Sequence, residues 1–326
     1  MGRGVPVGKK HGIRRAAAAV PGARRVSARP RRARFVRRQR LFGYGLVIPA
    51  TVVLGAVLGA PTVDAFILSL TNSSLIGTGS RFVGLANFTA LLTSGEFWSI
   101  TKTTVIWTAA NTGAQLLIGT GMALLLKSSS RVDKVLRSIA LLPWAVPSIV
   151  AAAAWRFMYD PASGVIDHLL LSAHLIHQPI VWLGEISTAL PAVILESVWK
   201  GSPFVMIIVL AGLQTIPPEI EEAALIDGAG LFQRLIRIKL PLIRTTLALA
   251  TILTIAYTVN NFNAIWLMTQ GGPLQSTQIL FTWGYQVGFQ QFNLGQAAAI
   301  SVVLFGALMI IAVVYFLTLE RKGSES

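Results

Sequence analysis

Side chains able to make or break bonds are scarce in this sequence. There is no cysteine, which excludes disulfides, thiolate metal sites and cysteine nucleophiles. The four histidines form no HExxH or comparable ligand pair, and His168, His174 and His177 read as solvated surface residues, so no metal site is expected. No Gly-x4-Gly-Lys-Ser/Thr loop is present to cradle phosphates. No apolar block holds a Ser/His or paired-Asp arrangement, so catalytic residues are not expected and a membrane-embedded enzyme ranks lowest among the readings. What remains is polarity set in apolar surroundings: Arg156, Glu196 and Lys200, then Tyr257, Thr258, Asn260 and Asn261. Ionisable groups inside a bilayer are costly and mark functional sites by default. Neutral amides beside aromatic faces suit the hydroxyls and C–H faces of a sugar. Tyr257, Thr258, Asn260 and Asn261, with Trp199 and Lys200, are therefore the candidate lining of a solute path. Two plainer readings stay open. Asn also bonds across packed membrane helices, and Glu196 and Lys200 stand i, i+4, where they can neutralise each other on one helix face. If the solute were anionic, Lys200 and Arg156 would be the counter-charges.

A second cluster lies in the stretch 214–241. Pro217 and Pro218 end the preceding apolar block, and Pro218 can open a new helix because its missing N–H is not needed in the first turn. Glu219, Glu221 and Glu222 follow, where carboxylates favour the positive helix end. Ala223 and Ala224 keep one face small, and Gly228 and Gly230 permit a sharp turn. A short amphipathic stretch from Leu231 to Ile238 then ends at Leu240-Pro241. Such a helix can dock into a groove on a partner. By composition alone it is equally an ordinary linker.

These residues need elements to hold them. Hydrophobic residues make up 53% of the 326 and charged residues 13%, against about 25% charged in soluble domains. Apolar blocks at 42–70, 103–126, 137–158, 189–213, 242–268 and 296–319 are each long enough for a bilayer helix. Helices are expected because every backbone group in hydrocarbon must be bonded within its own segment. The fold class is thus an all-α membrane protein with six transmembrane helices. Lys and Arg crowd 1–40 (14 of 28), 127–137, 214–244 and the tail, while 160–188 and 269–295 carry none. The positive-inside rule then places both termini and the two basic loops in the cytoplasm. The expected organisation is a basic, disordered cytoplasmic arm at 1–40, a transmembrane domain at 41–320 with the loop 214–241, and a cytoplasmic tail at 321–326. The arm, although dense in Arg, lacks a packing pattern and stands directly before the first span. It reads as a contact with anionic membrane lipid and not with nucleic acid.

The loop carries a resemblance. Glu222-Ala223-Ala224, Gly228, Ile238 and Leu240-Pro241, with Asp227-Gly228-Ala229, resemble the signature loop of permease subunits of binding-protein-dependent ABC importers. Leu142-Pro143, Val146-Pro147-Ser148, Trp155-Arg156-Phe157-Met158, Trp199-Lys200, Gly212-Leu213-Gln214 and Asn260-Asn261-Phe262 before Thr269-Gln270-Gly271-Gly272-Pro273 resemble its carbohydrate-uptake branch, the maltose and glycerol-3-phosphate type. The resemblance covers about residues 42–320. It implies a type I ABC importer permease fold with a cytoplasmic coupling helix, supplying half of a path for a sugar or sugar-like solute. It also implies a second permease subunit, most simply in a heterodimer, two ATPase subunits and an extracytoplasmic solute-binding protein. The chain itself would need no cofactor, because ATP and Mg are bound by the partner ATPase subunits. The ATPase-coupling residues would be Glu222, Ala223, Ala224, Asp227, Gly228, Ile238, Leu240 and Pro241, with Glu222 pairing with basic groups of the ATPase. In the maltose type, the positions matching Thr258 and Asn261 line the sugar site. The implied location is a bacterial inner membrane, multi-pass, with both termini cytoplasmic. The alternative is a secondary transporter driven by an ion gradient. That would usually show internal repeats or buried acids as proton relays, and Glu196 is the clear candidate acid in the spans.

Overall fold

The computed structural model describes residues 43–45, 47–76, 79–128 and 130–323. The basic arm at 1–40 and the last three residues of the tail lie outside them. The chain divides by its contacts into Met1–Ala60 and Pro61–Ser326, and the buried clusters all belong to the second unit. The regular elements among the described residues are all helices, with no β-strand and only isolated bridges between Thr71 and Phe82 and between Ser74 and Asn293.

In chain order the helices are α1 Gly43–Ser69, α2 Ala86–Thr93, α3 Gly95–Leu125, α4 Arg131–Ala140, α5 Leu142–Ala145, α6 Ser148–Met158, α7 Val165–Ser172 and α8 Ile186–Leu213. Then come α9 Pro218–Ile226, α10 Leu231–Leu242, α11 Arg244–Val259, α12 Phe262–Met268, α13 Leu280–Tyr285 and α14 Leu294–Gly323. Three stretches are long and apolar enough to cross a bilayer unaided: Gly43–Ser69, Ile186–Leu213 and Leu294–Tyr315. Two bent pairs bring the number to five, Arg131–Ala145 with Ser148–Met158 at 91° and Leu231–Leu242 with Arg244–Met268 at 73°.

The structure therefore refines the expected six spans in three places. The block at 103–126 falls on α3 and its C-cap Leu126; the 31 residues of the helix are long enough, but its apolar character is diluted by Thr104, Asn111, Thr112 and Gln115. All four are buried. The Thr104 hydroxyl takes the Leu280 N–H at 2.9 Å, Asn111 donates to the Trp107 carbonyl at 2.9 Å, and Gln115 donates to the Ser197 carbonyl at 3.3 Å. Thr104 and Gln115 thus bond to neighbouring elements, Asn111 bonds back to its own helix, and all four polar side chains are shielded from the surface. The block at 137–158 is not one helix. Proline has no N–H and disfavours helical backbone in the residue before it, and Val146 is extended (ψ 133) ahead of Pro147. Its carbonyl is not left bare, because the Lys200 ammonium donates to it. The block at 242–268 is interrupted at Asn260 and Asn261, where the Asn261 side chain caps α12 by accepting from the Ala264 N–H at 3.4 Å.

The core runs along α3 and α8, the most extensively packed helix pair. Gly119 makes the approach possible, since a Cβ there would stand 2.6 Å from the Val205 Cβ. Ala123, Val205, Met206, Val209, Leu213 and Ile243 form one buried cluster beside the loop 214–241. A second gathers Trp107, Tyr159, Val193, Ile265 and Ile279, and a third joins Leu91, Phe97, Ile100, Trp283 and Ile300.

Candidate functional site

The loop 214–241 folds as its local chemistry dictates. Pro217 is extended, Pro218 occupies the first turn of α9, and Glu219 and Glu221 fall in that turn. The helix ends with the Gly228 N–H on the Leu225 carbonyl at 3.1 Å and the Ala229 N–H on the Ala224 carbonyl at 2.9 Å. Gly228 has φ +75, a left-handed conformation that costs L-residues about 1–2 kcal/mol. Of the expected coupling residues, Ala224 is buried. Glu222, Ala223, Asp227, Gly228 and Pro241 are exposed, and Ile238 and Leu240 are half-buried. The apolar side chains at the turn are strongly exposed: Ile226 by 87%, Leu231 by 81% and Phe232 by 73%. The alanine spacing pointed to a small face. Leu231 and Phe232 belong to the amphipathic stretch legible in the sequence, and only Ile226, an apolar side chain beside the same glycine turn, escapes that reading.

Glu221 is one of three acidic residues at the start of α9 and carries no distinguishing signal in the sequence, yet it makes two ion pairs. One oxygen meets the Lys127 ammonium and the other lies 3.3 Å from that of Lys239. Burial pushes the Glu221 carboxyl up. The Lys127 hydrogen bond, the charge and hydrogen bond of Lys239 and the Lys127 charge outweigh it, leaving the group below the usual carboxylate value.

A second feature lies between α3, α8 and α11. A cavity of about 390 Å³ is lined by Gln115, Trp144, Gly201, Phe204, Thr254 and Tyr257. Trp144 and Phe204 stack with ring centroids 6.3 Å apart. The Thr254 hydroxyl is buried and makes no hydrogen bond. Tyr257 and Trp144 are half exposed, so the lining opens on one side to the chain's surface. The expected path residues do not all gather here. Tyr257 does. Thr258 is fully buried, with its carbonyl accepting from Trp107 Nε1 at 3.0 Å and its hydroxyl unbonded. Asn260 turns back to the Ala256 carbonyl at 2.8 Å, and Asn261 reaches Ser197 Oγ at 3.3 Å. Trp199 meets Trp155 edge-on at 5.7 Å, and Lys200 is buried against Val146 and forms no ion pair with Glu196. Gln115, Trp144, Phe204 and Thr254 come from separate apolar blocks. Gln115 alone carried a legible signal, as an amide in an apolar run.

Residues 115–321 match the family described as the binding-protein-dependent transport system inner membrane component. This chain belongs to that family. It is 34% identical over 281 residues to the trehalose/maltose transport system permease protein of Thermococcus litoralis, covering 85% of this chain and 93% of that one. It is 34% identical over 286 residues to the sn-glycerol-3-phosphate transport system permease protein of Salmonella typhimurium, covering 87% and 96%. Its fold is that of a chain in the crystal structure of a bacterial alginate ABC transporter in complex with its alginate pentasaccharide-bound periplasmic protein. The TM-score there is 0.75 at 20% identity, covering 86% of this chain and 94% of that one. The permease is thus an inner-membrane transport component of an ABC importer. Family membership implies ATPase and solute-binding partners, and no support falls to the ion-coupled alternative.

Proposed function

We propose that this permease forms half of the path by which a sugar or sugar-like solute, of the oligosaccharide or glycerol phosphate class, is imported at the expense of ATP hydrolysed by separate subunits. The observation that carries the reading is the cavity of about 390 Å³, where the Gln115 amide and the Thr254 hydroxyl sit among the rings of Trp144, Phe204 and Tyr257. An aromatic wall packs on C–H faces, and a few placed polar groups fix orientation, which is the usual anatomy of a small-molecule site. Its open side is where a second permease would complete it. The relatives' trehalose/maltose and glycerol-3-phosphate cargo supports the same class. Thr258 and Asn261 serve this reading from behind the lining, Thr258 as the buried chain neighbour of Tyr257 and Asn261 through Ser197, whose carbonyl takes the Gln115 amide. The loop 214–241 is the coupling element, with Glu222 and the exposed Ile226, Leu231 and Phe232 facing the ATPase. Both termini are cytoplasmic, following the basic loops.

The test is uptake of radiolabelled maltose, trehalose and glycerol-3-phosphate by cells producing the complex, with Gln115→Ala and Tyr257→Ala beside the wild type. Each substitution is expected to lower uptake of the cargo at least about tenfold, since removing a contact worth roughly 1.4 kcal/mol changes an equilibrium that much. Membrane levels and subunit assembly should not change with Tyr257→Ala; Gln115→Ala also removes the bond to the Ser197 carbonyl, so its uptake is read per assembled complex. Unaltered uptake kinetics in both variants would move the path elsewhere.

A further inference from the structure

Glu222 is the glutamate that the signature assigns to the ATPase, but its neighbour Glu221 does something different in the structure. Its two oxygens engage lysines from two other segments. Lys127 stands just beyond the C-terminal end of α3, and Lys239 lies in α10, four residues before the elbow at Ile243 that leads into α11. The Lys127 segment is itself fixed. Arg137 of α4 donates from Nε to the Leu126 carbonyl at 2.7 Å and from Nη2 to the Ser128 carbonyl. α9 otherwise buries little against the chain, with Ala224 its one buried residue. Covalent connection would carry a displacement of α9 back through 214–217 into α8 and forward through α10 into α11. Nothing covalent carries it to the end of α3 beside the loop, which is 94 residues away along the chain at Lys127 and is otherwise reached through packing, chiefly of α3 on α8 and α11. Yet α3 supplies Gln115 to the cavity and α11 supplies Thr254 and Tyr257.

We propose that Glu221 is a positioning residue that clamps the coupling helix to the end of α3, so that one displacement of α9 moves both α3 and α11. The clamp rests on the coupling reading of the loop and extends it to a helix that the signature motif does not touch. A carboxylate shared by two ammonium groups suits the task. Each single contact is weak where water reaches it, but two together hold the carboxylate from both sides.

This chain has no cysteine, so the test is direct once the other subunits carry none that react. In the full complex with its ATPase subunits, a single spin label is placed at Leu117→Cys on α3 or at Leu249→Cys on α11, both exposed positions. The spectral change on adding ATP with vanadate is then recorded, with and without Glu221→Gln. Glutamine keeps the size of the side chain and removes its charge. The clamp predicts that both labels respond in the otherwise unaltered complex. With Glu221→Gln, the Leu249 label still responds and the Leu117 response falls several-fold. Inverting all three charges, with Lys127→Glu, Glu221→Lys and Lys239→Glu, restores it. A full Leu117 response with Glu221→Gln overturns the clamp while leaving the coupling reading intact. So does a loss of the ATPase with Glu221→Gln, which would make this residue a docking contact. Silence of both labels before any charge is altered overturns the coupling reading and the clamp with it.

Discussion

Lys200 shows how little a residue's identity says about its task until its neighbours are known. In the sequence it stands four residues after Glu196 and invites an ion pair. In the structure it donates to the Val146 carbonyl, which the Val146-Pro147 break has released from the helix ladder. An intramembrane break of this kind needs a neighbour to satisfy the freed carbonyl. Lys200→Met is therefore expected to destabilise the purified complex by about 1–3 kcal/mol, the cost of leaving a buried acceptor unmet. The check is thermal unfolding in detergent beside uptake. A variant of normal stability that transports poorly would instead put Lys200 on the solute path. Asn261 is opaque for the same reason. An asparagine in an apolar run is legible as a polar group with a purpose, but its two bonds, to Ser197 and to the start of α12, depend on tertiary geometry that no local pattern encodes. The role of Glu221 is equally hidden, since Lys127 lies in another loop.

At the scale of the element, the loop 214–241 is the most legible part of the chain because its signals are local. Proline opens α9, acidic residues fill its first turn and glycine closes it. The broken span is less legible. The apolar run from 137 to 158 continues across the Val146-Pro147 break without a change in composition, so only the prolines hint at the 91° turn. Gly228 separates two roles of the loop. Its φ of +75 disfavours most side chains, but a Cβ there would meet no atom within 4 Å. Asn and Asp visit this conformation more easily than β-branched residues. Gly228→Asn and Gly228→Asp should leave the stability of the isolated chain within about 1 kcal/mol of the original, whereas Gly228→Val should cost about 1–2 kcal/mol. Thermal melts of the three purified chains read this directly. Equal destabilisation by Asn and Val would mean that the site is crowded rather than conformationally selective.

For the whole molecule, the apolar blocks and the distribution of Lys and Arg make a polytopic helical membrane protein legible, and the signature loop makes its family legible. The number of crossings is harder to read. α3 mixes apolar and polar residues because Gln115 bonds to α8 and Thr104 to the α13 start, and hydropathy does not record which face is buried. A six-span chain with cytoplasmic termini predicts a labelling pattern. Single cysteines at Leu175 and Leu274, both strongly exposed, should react with an impermeant maleimide added outside intact cells, and one at Phe232 should not. Ser73 is a poor reporter, being buried against Thr71. Outside reaction at Phe232 would invert the topology. The central claim is that a separate ATPase drives this permease through the loop 214–241. It is tested most directly by the ATP hydrolysis that co-purifies with the full chain from membranes, with and without Gly228→Asp. Gly228→Asp puts a carboxylate on the exposed turn beside Ile226, Leu231 and Phe232, where docking would bury it without a partner at a cost of several kcal/mol. Vanadate-sensitive hydrolysis is expected with the unaltered chain. Its loss, together with the ATPase subunits, is expected in a Gly228→Asp chain that still inserts and melts normally. Hydrolysis retained at the unaltered level by Gly228→Asp would contradict the claim.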